Sequence, residues 1–184
     1  MKVKYRNILF LTLLSLITPF IVAQPFNQDV RAEILGIAND TAFITKTNEC
    51  LINYYSSQNQ FEITIPPESF KSGNAFKDSL FLLNNTSLIR IIGKVDGSVF
   101  DLFKNENSNK KDILEGDVYF NNKKLHVTKE YQIYTSPSVQ QGRKIIYINL
   151  RFYFDPSYFD IGLNGYFENP MEFIIQGGYV NQKN

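Results

Sequence analysis

Side chains able to do covalent or acid–base chemistry are few and scattered along this chain of 184 residues. It has one histidine, His126, and one cysteine, Cys50. A metal site needs a cluster of such ligands, and none is spaced here to form one. His126 stands between Leu125 and Val127, on the outward side of a strand-like run. Cys50 sits between Glu49 and Leu51 and reads as a small buried hydrophobe rather than a nucleophile. The carboxylates Glu62, Glu68, Asp78, Asp117, Glu130, Asp155, Asp160, Glu168 and Glu172 stand singly, with no spacing that makes an acid–base pair. Asp155 and Asp160 bracket PSYF and read as turn caps. No G-x-S-x-G, no G-x-G-x-x-G opening a helix and no P-loop occurs. The expectation is a protein with no catalytic residues, no metal and no cofactor of its own. A hydrolase would need two carboxylates, or His126 and a partner, to meet in one cleft.

The first 23 residues read as an address. Lys2, Lys4 and Arg6 form a basic start, Ile8 to about Leu16 an apolar stretch, Pro19 a break and Ala23 a small residue for cleavage. The apolar stretch is about 15 residues, short of the roughly 20 that span a bilayer. The prediction is a signal peptide over 1–23, cut before Gln24, and a domain over 24–184. Such a protein is periplasmic or secreted, with no stable membrane span once the leader is gone. Removing Lys2, Lys4 and Arg6 takes the 19 cations to 16 against 18 anions, a net −2. That charge gives no footprint for nucleic acid. The size suits one domain, either monomeric or a homodimer.

The elements that would position any site are strands. Hydrophobic residues make up 43% and charged ones 20%, a globular balance, and 16 Phe with 11 Tyr lean toward sheet. Phe61, Ile63 and Ile65 alternate with polar residues until Pro66-Pro67, and Ile89, Ile91, Gly93 and Val95 do the same. A third run covers Leu125 to Ile133. The clearest is 144–154, with Ile146, Ile148, Leu150, Phe152 and Phe154 on one face, and Tyr147, Asn149, Arg151 and Tyr153 on the other. It spans roughly 33 Å at about 3.3 Å per residue, a length suited to a tilted barrel stave. Met171, Phe173 and Ile175 close the series. Asn39-Asp40, Gln58-Asn59, Asp96-Gly97, Gln141-Gly142 and Glu168-Asn169-Pro170 read as turns, and 104–112, KNENSNKKD, as a solvated loop. Short helices fit 73–83 and the stretch after Pro156. A curled antiparallel barrel leaves no unpaired edges; a two-sheet sandwich is the other solution.

The blocks FEITIPPESFKSGNAFKDSLF (61–81), IIGKV (91–95), GDVYFNNKKLHVTKEYQI (116–133) and YFDIGLNGYFENPMEFIIQ (158–176) resemble, in order and spacing, YceI-like periplasmic proteins. The chain departs from that pattern at Asn121-Asn122, where the family carries His-Gly. The resemblance implies an all-β fold: an eight-stranded antiparallel, lipocalin-like barrel with one or two short helices. It also implies an amphiphilic lipid partner, a polyisoprenoid or quinone-like molecule, held inside the barrel without catalysis. The residues set against such a tail are Phe61, Ile63, Ile65, Ile89, Ile91, Val118, Phe120, Ile146, Ile148, Leu150, Phe152, Phe154, Phe173 and Ile175. A register slip of one would exchange them for Tyr119, Tyr147, Arg151 and Tyr153, with Arg151 at the mouth. The alternative is a packed exported barrel that binds a protein or glycan through its loops.

Overall fold

Period-2 alternation becomes a sheet in which almost every predicted run is a strand. The computed structural model describes residues 23–26, 28–83, 87–94, 109–137, 144–163 and 165–180. Ten strands follow in order: β1 (Ala23–Phe26), β2 (Gln28–Ala38), β3 (Thr41–Thr47), β4 (Leu51–Tyr55), β5 (Gln60–Ile65), β6 (Ile89–Lys94), β7 (Asn109–Phe120), β8 (Lys123–Pro137), β9 (Lys144–Phe154) and β10 (Met171–Val180). One helix, α1 (Ala75–Leu82), and 3-10 turns at Ser56–Gln58, Pro67–Ser69 and Pro156–Phe159 complete the described elements.

Hydrogen bonding runs β1-β4-β5-β6-β7-β8-β9-β10-β2-β3, antiparallel throughout. No ladder joins β1 to β3, the two ends of that order. The chain joins them instead. β1 leads into β2 across the single residue Asn27, and β3 leads into β4 across residues 48–50. β1 pairs with β4 and β2 with β3, as two halves of one hairpin, while β2 also pairs with β10. Taken as arms (β1 with β2, β3 with β4, then β5 to β10 singly), there are eight, and each is paired on both sides. The eight-stranded antiparallel barrel read from the sequence is thus built from ten strand segments.

Local chemistry sets the corners. Asn39-Asp40 and Asn121-Asn122 hold φ of 50° and 58°, and 48° and 58°. Two successive positive φ values make the turn whose twist matches an antiparallel hairpin, and Asn and Asp tolerate it. The Asn121-Asn122 turn therefore survives without the glycine of the resembling family. Asn74 starts α1 by accepting from the Lys77 N–H at 3.1 Å. Asp155 caps the turn after it through the Ser157 N–H at 2.8 Å, and Asp160 ends that turn at φ 54°. The loop expected over 104–112 is corrected in part. Asn109–Asp112 pair with Tyr131–Tyr134 as the start of β7, because a ladder with a long partner overrides weak local preference. Residues 104–108, residues 1–22 of the leader, and the turns at Asp96-Gly97 and Gln141-Gly142 lie outside the described residues.

Where it is described, the inner wall is mostly apolar. Phe61, Ile63 and Ile65 of β5, Ile89 and Ile91 of β6, and Phe152, Phe154, Phe173 and Ile175 of β9 and β10 are all buried. β2 and β3 contribute smaller inner groups, Ala32, Ala38, Thr45 and Thr47, beside Ile34 and Phe43. Phe81 of α1 plugs one end, 5.6 Å from Phe70, 6.2 Å from Phe43 and 6.4 Å from Phe167 between ring centres. On the inner face Gly93 pairs with Gly116. A Cβ on Gly116 would meet the Ile92 carbonyl oxygen and come within 2.8 Å of Gly93 Cα, so glycine is required by backbone approach.

Candidate functional site

Two spaces lie near the end of the barrel that carries the Asn121-Asn122 turn. The inner one is a void of about 10 Å³ lined by Ile89, Val118, Phe120, Phe152, Phe154 and Phe173, with Ile34 and Phe159. That is at the lower limit of room for one water. Its rings form a tilted cluster: Phe152 and Phe173 lie 5.2 Å apart, Phe120 and Phe159 5.8 Å, and Phe154 and Phe159 6.0 Å. The outer space is a half-open cleft of about 720 Å³. Ser87, Asn121, Asn122 and Ser157 bring hydroxyls and amides to it, Asp160 a carboxylate, and Gly162 and Gly165 bare backbone. Ile161, Leu163 and Phe167 supply its apolar lining.

Phe120 and Phe159 face the void, and the next residues along the chain, Asn121 and Asp160, face the cleft. Asn121 Nδ2 donates to the Phe159 carbonyl oxygen at 2.8 Å, and the Asn121 N–H donates to Ser87 Oγ at 3.2 Å.

Of the residues expected to meet a tail, Ile89, Val118, Phe120, Phe152, Phe154 and Phe173 line the void. Phe61, Ile63, Ile65, Ile91, Ile148, Leu150 and Ile175 are buried on the inner wall elsewhere. The Ile146 side chain lies outside the described residues. Sequence reasoning missed Ile34, in a run broken up by alanines, and Phe159, which reaches the void from a 3-10 turn and has no periodicity to reveal it. Arg151, considered for a head group at the mouth, stays on the outer wall, with Nε 3.2 Å from Glu172 Oε1.

Asp117, Lys124 and His126 form a cluster on the outside of the barrel. Asp117 Oδ2 is 2.9 Å from Lys124 Nζ, and Oδ1 is 3.1 Å from His126 Nδ1. Hydrogen bonds from Lys124 first and His126 second hold the Asp117 carboxyl below its ordinary range, and the same contact raises Lys124. His126 is exposed, so this is a surface ion cluster. Among the described residues no group of three or more His, Cys, Asp or Glu could hold a metal ion.

Glu62 of β5 is reached on Oε1 by Arg90 of β6 at 2.7 Å, and Tyr55 OH of β4 donates to its Oε2 at 2.9 Å. The Arg90 guanidinium is the main reason the Glu62 carboxyl lies low, with Tyr55 adding to it against some desolvation. A depressed folded value stabilises above the unfolded pKa, about 4.5, and that contribution is lost as pH falls through the folded value. Urea midpoints measured from pH 5 down to pH 3 are expected to fall less steeply in Arg90→Ala than in the wild type. An identical slope would show that the pair adds nothing to folding.

Cys50, between β3 and β4, is buried, and desolvation pushes its thiol up to about 12. The folded protein is expected to resist a thiol reagent at pH 8, with one thiol appearing when urea unfolds it. Rapid labelling of the folded protein would contradict that burial.

No family model matches the sequence, and no curated protein matches it. Solved structures do. The chain is similar to a polyisoprenoid-binding domain from Saccharophagus degradans implicated in plant cell wall breakdown, with TM-score 0.64 and 5% identity over 88% of this chain and 99% of that one. It is similar to Burkholderia cenocepacia BcnA, with TM-score 0.51 and 11% identity over 83% and 96% of the two chains. A YceI protein from Campylobacter jejuni aligns at TM-score 0.48 and 12% identity, over 73% and 81%. The YceI-like resemblance in the sequence thus holds at the level of architecture, and the chain is built on the YceI-like fold.

Proposed function

We propose that this chain is an exported, non-catalytic binding protein that holds an apolar or amphiphilic isoprenoid-type molecule in its barrel. The observation that carries the reading is the lining of the inner void, made of Ile, Val and Phe alone. A known protein of this fold is a polyisoprenoid-binding domain, which supports the same class of ligand. Among the described residues no helix is long and apolar enough to cross a membrane.

Burying about 400 Å² of tail gains roughly 10 kcal/mol gross at about 25 cal/mol per Å². Ordering the tail and losing its free motion offset a large share, which leaves micromolar affinity as the expectation. A void of about 10 Å³ holds no such tail, so binding at this end requires the Phe120, Phe154 and Phe159 rings to turn aside. The same tightness favours a second reading, a packed barrel whose loops bind a protein or glycan.

Native mass spectrometry of the protein recovered from the exported fraction, followed by solvent extraction, separates the two. A stoichiometric adduct of isoprenoid mass is the expected result. A clean apo mass, with no uptake of added polyprenol, would favour the packed barrel.

A further inference from the structure

We propose that the polar cleft beside the Asn121-Asn122 turn takes the head of the bound amphiphile, and that this head is an uncharged hydrogen-bonding group, a hydroxyl or a carbonyl. The inference rests on the lipid reading of the barrel and adds the class of head group to it. Position argues for it first. The cleft and the apolar void share the Phe120–Asn121 and Phe159–Asp160 steps of the chain, so one molecule can cross with its tail inside and its head outside. The Asn121 amide of the cleft is bonded to the carbonyl of Phe159, a residue of the void, at 2.8 Å. The cleft volume of about 720 Å³ lies within the range of small-molecule sites.

Its chemistry selects the head. Ser87, Asn122 and Ser157 offer hydroxyl and amide groups that donate and accept. The ionised group in the lining is Asp160, whose carboxylate is 2.8 Å from Lys123 Nζ. Among the described residues no cation lines the cleft itself. A phosphate or diphosphate would therefore meet a carboxylate, and the lysine that could answer it is already engaged.

The test uses three probes of equal carbon count: geranylgeraniol, geranylgeranyl diphosphate and the saturated hydrocarbon. Each is titrated against the wild type and Asp160→Asn. Asn adopts the positive φ of 54° at this position readily, so the variant keeps the turn. The wild type is expected to prefer the alcohol over the diphosphate by about tenfold or more. In Asp160→Asn that preference shrinks to within about threefold, because the anion is freed of its repulsion and gains Lys123. The alcohol, and not the hydrocarbon, is expected to shift the amide resonances of Gly162 and Gly165. Equal binding of all three probes, an unchanged preference in Asp160→Asn, or still glycine resonances would overturn the head-group assignment and leave the lipid reading standing. Failure of all three probes to bind would overturn the lipid reading, and the head-group assignment with it.

Discussion

Phe152→Asp is expected to leave the domain unfolded at neutral pH and to abolish binding of any apolar probe. Phe152 is 1% exposed, pairs across the sheet with Phe173, and has the Phe173 ring at 5.2 Å and the Phe154 ring at 6.4 Å. Losing the ring alone costs about 3–5 kcal/mol. Among the described residues no cation lies on the inner wall to meet a carboxylate in its place, and its desolvation adds several kcal/mol more. Together these rival the whole stability of a domain, about 5–15 kcal/mol. Circular dichroism and a urea titration decide the outcome, with Phe152→Leu as the apolar control, expected to stay folded with a midpoint lowered by about 1–2 kcal/mol. A folded Phe152→Asp protein that binds the probe with wild-type affinity would mean that this strand turns its other face to the ligand.

Gly116→Ala is the second large effect, and it comes from the backbone. The added methyl would press on the Ile92 carbonyl oxygen, lie 2.8 Å from Gly93 Cα and 3.2 Å from the Ile92 carbonyl carbon. None of these is the end of a flexible side chain, so β6 and β7 have to part where they are bonded to each other. A loss of about 3–4 kcal/mol is expected, at the upper end for a single methyl. Gly73→Ala supplies the contrast: at φ 80° it is strained by about 1–2 kcal/mol, but nothing lies within 4 Å of the new methyl. Urea midpoints under one buffer compare the two. Equal losses would show that strain at Gly73, not crowding at Gly116, sets the scale.

Much of the barrel could be read from the residues. β5, β6, β9 and β10 carry large apolar residues at alternate positions, and among the described residues the side chains of Phe61, Ile63, Ile65, Ile89, Ile91, Ile148, Leu150, Phe152, Phe154, Met171, Phe173 and Ile175 are buried. The first hairpin was harder to see. Its inner positions include Ala32, Ala38, Thr45 and Thr47, small or polar groups that blur the alternation while leaving room for Phe70 and Phe81 beside them. The start of β7 was hidden for a different reason: Asn109–Asp112 looks like a loop until Tyr131–Tyr134 is laid beside it. The cleft could not be found from sequence. Its residues come from around positions 87, 121 and 157–167, and no local pattern links a serine before β6 to an Asn-Asn turn and a 3-10 turn. Phe159 shows the same limit, since it enters the aromatic cluster from outside any strand.

The ring of pairings also has a calendar. β2 is made early and β10 late, yet they are neighbours, and Arg31 Nε bonds Gln176 Oε1 at 2.7 Å across 145 residues of chain. Until β10 emerges, β2 and β9 each present a bare edge. Contacts so far apart in sequence form slowly, and a chain halted before Met171 would be sticky rather than half-functional. Under the export proposed above, the fold is closed by the last of the described strands to arrive, on the far side of the membrane.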